Sequence, residues 1–372
     1  MCGGISGGVA GKNQGRLFYL RDIVVLLHAC NQELNRQTHP VAWSVEIFLS
    51  REIGSLAVPM FFVISGFLLG WYFLPPMGAW YRRLLKRRFF SLCVPYLLWC
   101  AIAAVTLLPF TILGNHLSGR ELVHNTCLAD ASWSVTNLLR IFGGDLFGFP
   151  VNGPLWYVRN LLLLLLISPV LLWSMKRRLV GVVLCGMLGI AFCLHDCIPR
   201  SYWQFFESGF SLRGLFFYYL GMLCAVHDWK FTVSVWAQYA VIGGWLVLAG
   251  VGTWMLAGGE RVLFFSIVQK VVNLAGVAGM WMLYDRIPGA GRIAAWPVSG
   301  SAFFLYACHC IILGTLFCNR STQGMQRILG PSSELLVYAA KVAVTLTVVL
   351  LAAELLRRFL PRFYSLLTGG RG

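Results

Sequence analysis

Ten runs of mostly apolar residues recur along the chain, at about 17–34, 54–74, 90–113, 154–174, 179–195, 209–227, 233–256, 262–284, 298–318 and 334–356. At 1.5 Å per residue, runs of roughly this length cross a hydrocarbon core about 30 Å thick. This limits the fold more than any other feature. Lipid offers no hydrogen-bonding partner, so a spanning backbone must be helical or part of a closed barrel. Barrel strands are shorter and alternate in polarity, and these runs, with LLLLLLI unbroken at 161–167, do not. The expected class is all-α: a polytopic transmembrane helical bundle of about ten spans. Only 12% of residues are charged and mean hydropathy is +0.72, too little polarity to cover a water-facing surface.

No repeat is evident, and no soluble stretch is long enough to stand alone. The expected organisation is a glycine-rich tail over 1–15, one membrane-embedded domain over 16–360, and a short basic tail over 361–372. The net charge of +16 does not indicate nucleic acid, because the cations gather in short segments between apolar runs. With the N-terminus placed in the cytoplasm, 18 of the 30 Lys and Arg fall on the cytoplasmic side. They include the cluster Arg82, Arg83, Lys86, Arg87, Arg88, read as a loop, and the tail Arg357, Arg358, Arg362 and Arg371. Eight fall outside, from Arg36 to Arg327. That bias predicts both termini in the cytoplasm. The 12 cysteines are mostly inside apolar runs and form no CxxC pair. They read as small packing residues, and no four-ligand zinc pattern is present.

Several stretches place polar chemistry within these runs. YLRDIVVLLHAC at 19–30 puts Arg21 and His28 seven positions apart, about two helical turns, on one face. Ionisable groups at membrane depth usually face a bundle interior or a wet cavity. Taken alone, His28 reads more readily as a satisfied buried imidazole. VPMFFVISGFLLG at 58–70 interrupts an aromatic run with Pro59, Ser65, Gly66 and Gly70, small residues that suit close helix packing. NGPLWYVRN at 152–160 contains Trp156 and the intramembrane Arg159; SAFFLYACHCII at 301–312 contains Tyr306 and His309.

Six stretches, in order over nearly the whole chain, resemble the membrane-bound acyltransferase family 3, the O-acetyltransferase-like integral membrane proteins. They are YLRDIVVLLHAC, VPMFFVISGFLLG, RRFFSLCVPYLLW, GPLWYVRNLLLLLLISP, FFYYLGMLCA and FLYACHCII. The resemblance implies an enzyme of the bacterial cytoplasmic (inner) membrane. It would move an acetyl or other short acyl group from acyl-CoA to a hydroxyl of a cell-envelope glycan, a lipid-linked sugar or a related acceptor. Acetyl-CoA would serve as co-substrate, and no permanently bound cofactor or metal is expected. The family's first helix carries an arginine about eleven positions before an essential histidine. Here Arg21 precedes His28 by seven, as a four-residue deletion would give, and the pair still shares a face. Tyr306 and His309 match the family's Tyr-x-x-His pattern, and Arg88 its arginine before the third helix.

A neutral imidazole near an acceptor hydroxyl can take its proton, typically worth 100- to 10,000-fold in rate, and its unperturbed pKa of about 6.5 leaves the base form available at neutral pH. His28 is the candidate base. Arg21 and Arg159 are the candidate donors to the developing oxyanion. Arg82, Arg83, Arg87 and Arg88 are the candidate contacts for the phosphates of coenzyme A. A covalent acyl-enzyme through Ser65 or a cysteine is the lesser possibility. A transporter or flippase for a lipid-linked sugar is the alternative function, although no inverted repeat or pair of broken helices points to alternating access.

Overall fold

The computed structural model describes residues 25, 28–29, 39–73, 77–118, 135, 141–143, 150–195, 211–229, 234–258, 263–286, 301–317, 319–330 and 333–370. Every regular element among them is helical. Six helices are long and apolar enough to cross a membrane, or seven if one bent pair counts as a single span. Of the first expected span only Val25, His28 and Ala29 are described, all three helical; Arg21 and the tail over 1–15 lie outside the described residues.

Helix α1 runs unbroken over Pro40–Trp71, loosening into a π turn at Phe48–Ile53 and tightening into a 3-10 turn at Gly54–Leu56. The sequence reading left 35–53 between its first two apolar runs, with Glu46, Arg51 and Glu52 on the outer side. The structure corrects this: Glu46 and Glu52 are buried, and Glu52 Oε1 accepts a 2.7 Å hydrogen bond from the Gln269 amide. Buried carboxylates are tolerated where such partners exist.

Helix α2 runs Met77–Arg88, through a π turn at Phe89–Cys93, and on over Val94–Ser118. The Arg82–Arg88 cluster therefore lies on a helix and not in a loop. Trp80 faces the core while Arg82, Arg83 and Arg87 are exposed, as an amphipathic segment requires.

Helix α3, Trp156–Ser174, follows a 3-10 turn at Gly153–Leu155. Helix α4 (Arg178–Leu194) has 17 residues, as many as the run expected at 179–195, whereas α5 (Leu212–Val226) has 15, fewer than the 19 expected at 209–227. At about 1.5 Å per residue α5 falls short of 30 Å. It tolerates this because eleven of its residues are buried: it lies along α1 and is flanked by α3 and α4. An all-round apolar helix belongs inside a bundle. Helices α6 (Val235–Gly258) and α7 (Leu263–Arg286) pair with each other and close on the π turn of α1.

Helix α8 (Ala302–Leu316) is followed by the short polar α9 (Asn319–Leu329) and packs on α10 (Glu334–Phe359). The expected basic tail is a folded part of the body. Helix α11 (Pro361–Thr368) buries Tyr364, Leu367 and Thr368, and the Trp99 indole of α2 donates to its Leu367 carbonyl at 3.0 Å.

Candidate active site

His309 sits mid-way along α8, fully buried. Its Nδ1 lies 3.1 Å from the Leu305 carbonyl one turn earlier. A carbonyl only accepts, so Nδ1 carries the hydrogen, and in a neutral ring Nε2 then holds the lone pair. That Nε2 is buried with no hydrogen-bond partner. The ring of His28 stands against it, with centroids 5.1 Å apart and planes tilted by 47°. Val25 and Ala29 are buried while His28 is exposed. One side of the imidazole pair is therefore open and the other sealed. A nitrogen of each ring and the Sγ of Cys310 lie within 4.8 Å of one another.

A polar frame holds α8 in place. The Tyr306 hydroxyl donates to the Pro154 carbonyl, and the Asn152 amide donates to the Ala307 carbonyl at 2.9 Å. The NGP turn ahead of α3 therefore buckles onto the helix carrying His309. Tyr306 meets Phe61 and Tyr157 edge-on, each at 5.8 Å. Tyr157 donates to the Phe61 carbonyl at 3.2 Å and stands 2.8 Å from the Ser65 hydroxyl. A phenol has one hydrogen, so in this arrangement Ser65 donates to Tyr157. The serine hydroxyl is thus engaged in the helix-packing frame, not hydrogen-bonded to an imidazole. Gly66 lies where α1 crosses α5: a Cβ there would stand 1.9 Å from the Tyr218 carbonyl oxygen.

The arginines divide by position. Arg87 and Arg88 line a cavity of about 490 Å³ whose lining also includes Ser365 and Leu366 of α11 and Gly369 and Gly370 just after it. Arg82 and Arg83 are exposed and outside that lining. Arg88 is also within electrostatic reach of the Tyr218 and Tyr157 hydroxyls. Tyr157, Tyr306 and His309 stand in a row of neighbouring rings, the last step being 6.2 Å between centroids. Arg159, in the first turn of α3, donates to the Gly143 carbonyl. Trp156 is flanked by the Arg213 guanidinium at 5.6 Å and by Phe62 at 6.2 Å.

The structure therefore brings His28, Tyr306 and His309 together, places Ser65, Gly66 and Trp156 in the supporting frame, and sends Arg87 and Arg88 to a separate cavity. Sequence reasoning missed Tyr157, Asn152 and the nearness of Cys310 to both imidazoles. Asn152 and Tyr157 stood within a quoted motif, NGPLWYVRN, but only their partners on other helices reveal what they do.

Comparison with known proteins agrees with this geometry. The family described as "Acyltransferase domain", acyltransferase family 3, matches residues 23–354. The chain belongs to this family. Its match spans the first-helix histidine, the α1–α5 crossing, the NGP buckle and His309, so the frame and the imidazole pair both fall inside one acyltransferase domain. The chain is also similar to the "Succinoglycan biosynthesis protein ExoH" of Rhizobium meliloti (strain 1021), with 23% identity over 335 residues, covering 88% of this chain and 82% of that protein. No solved structure matches the chain. The protein is an acyltransferase built on helices long and apolar enough to cross a membrane.

Proposed function

We propose that this acyltransferase moves an acetyl or other short acyl group from acyl-CoA to a hydroxyl of a cell-envelope glycan or lipid-linked sugar, with His28 as general base. The observation that carries the reading is the accessible His28 imidazole held against a buried, tautomer-fixed His309. A neutral His28 nitrogen takes the hydroxyl proton as the oxygen attacks the thioester carbonyl. The C–S bond then breaks, and the departing coenzyme A thiolate takes the proton back from the imidazolium. Atoms balance, and His28 returns neutral. Arg21 and Arg159 are the candidate donors to the carbonyl oxygen as it gains charge.

Coenzyme A carries phosphates, and the Arg87–Arg88 cavity offers them paired cations. The charge bias between segments supports a bacterial inner-membrane orientation with both termini in the cytoplasm, so acyl-CoA meets Arg87 and Arg88 from that side. The resemblance to a succinoglycan biosynthesis protein supports a polysaccharide acceptor.

The test is His28→Ala in purified protein supplied with labelled acetyl-CoA and envelope glycan fractions. Acyl transfer should fall by about 100-fold or more with the thermal unfolding profile unchanged. Full activity in the folded variant would remove the base from the mechanism.

A further inference from the structure

His309 shows the arrangement typical of a metal-bound imidazole. One ring nitrogen donates to a backbone carbonyl, here that of Leu305 at 3.1 Å, and the other presents a lone pair. That lone pair is fully buried and has no hydrogen-bond partner. Buried polar atoms are nearly always satisfied, so the vacancy points to something that docks on Nε2. Two further donors stand close by. A nitrogen of His28, a nitrogen of His309 and the Sγ of Cys310 lie within 4.8 Å of one another. Cys310 is a free thiol. No sequence spacing announces the group, because His28 comes from the opposite end of the chain.

We propose that His28, His309 and Cys310 form a zinc site whose occupation switches the enzyme off. Two imidazoles and a thiolate, with no carboxylate among them, suit a borderline-soft ion such as Zn²⁺ and disfavour Mg²⁺ or Ca²⁺. Bonds of about 2.0–2.3 Å to one tetrahedral centre set donor atoms roughly 3.5 Å apart, so the cluster must tighten by about 1 Å. His28, on the open side, has the freedom to rotate inward. Three protein ligands leave the fourth position for water. Binding exchanges the Cys310 S–H proton for the metal and releases that proton to solvent.

The inhibition follows from one lone pair having two uses. A His28 nitrogen bonded to zinc cannot accept the proton of an attacking hydroxyl. This part rests on His28 being the general base; the site itself does not. The proposal makes acyl transfer and zinc occupation mutually exclusive.

The experiment uses the full chain in detergent, stripped with a chelator and titrated with Zn²⁺ by calorimetry and with Co²⁺ by absorption. The expected results are one ion per chain, a thiolate-to-cobalt charge-transfer band, and tetrahedral d–d bands. Cys310→Ser should abolish the charge-transfer band and weaken Zn²⁺ binding by at least about 10-fold. Whatever metal-free acyl transfer the variant retains should no longer be inhibited by zinc. Absence of stoichiometric binding, absence of the thiolate band, or unaltered affinity in Cys310→Ser overturns the site. Intact binding with a fully active His28→Ala overturns the base reading alone.

Discussion

The crossing of α1 and α5 is the tightest contact in the molecule to be put to a direct test, and Gly66→Ala is the perturbation. A Cβ on Gly66 would lie 1.9 Å from the Tyr218 carbonyl oxygen and 2.8 Å from its carbon; one on Gly221, across the same seam, would lie 2.0 Å from the Val63 carbonyl oxygen. Carbon and oxygen rest about 3.3 Å apart even in close helix contacts, so a single methyl demands more than 1 Å of separation. The obstructing atoms are backbone, which cannot rotate aside. A gap of 0.5–1 Å already forfeits a quarter to a half of each dispersion contact, and the seam continues through Gly70, where a Cβ would meet the Met222 carbonyl oxygen at 2.8 Å. Overpacking of this kind costs about 3 kcal/mol or more. Exchanging Gly for Ala in a helix returns about 1 kcal/mol. The expected net loss is about 2 kcal/mol or more, read by reversible denaturant unfolding in detergent. Gly243→Ala is the control: it lies on exposed helix with nothing within 4 Å of its added Cβ. Activity should fall with stability, since the crossing carries Ser65 to Tyr157. Gly66→Ala as stable as Gly243→Ala would show that the helices are not in backbone contact.

Three further outcomes are expected. Arg87→Ala with Arg88→Ala should weaken acetyl-CoA binding in a salt-dependent way, whereas Arg82→Ala with Arg83→Ala, outside the cavity, should change it far less; equal effects would deny the cavity its role. Ser65→Ala should retain acyl transfer to within about tenfold, the scale of one lost hydrogen bond, and a dead but folded variant would revive a covalent acyl-serine. Arg159→Gln should lower turnover more than folded yield if its guanidinium serves the oxyanion; a loss of yield that accounts for all lost turnover would leave it only the Gly143 carbonyl as its task.

Much of this bundle is legible from hydropathy alone. The run at 154–174 is found as Gly153–Ser174 and the run at 334–356 within Glu334–Phe359, because both are apolar and bounded by turn residues or charge. The start of α1 was not legible. Glu46 and Glu52 make 40–53 look like a loop, and only the fold supplies the Gln269 amide that lets Glu52 stay buried. The Arg82–Arg88 cluster misled in another way: charge is topogenic whether it sits on a loop or on the exposed face of a helix. The short α5 departs from expectation because length rules assume lipid on the outside, and α5 is surrounded by protein. At the site, His28 and His309 were each visible as polar residues in apolar runs, but their contact is not encoded in any local spacing.

The site's polar groups divide into two kinds. Asn152, Tyr157, Asn160 and Tyr306 bond backbone carbonyls, other side chains or, for Asn160 Oδ1, the Ser211 N–H at 2.8 Å. They fix helices relative to one another. His309 Nε2 has no such bond and faces the neighbouring His28 ring. A buried acceptor left unsatisfied costs about 1–3 kcal/mol, and nothing in the frame repays it. What sets His309 Nε2 apart from other buried atoms without a partner is the second imidazole standing beside it. A hydroxyl entering between the imidazoles, a protonated His28, or a metal ion would each satisfy it. If the His28 nitrogen is both the general base and a zinc ligand, acyl transfer and zinc occupation must compete for its one lone pair.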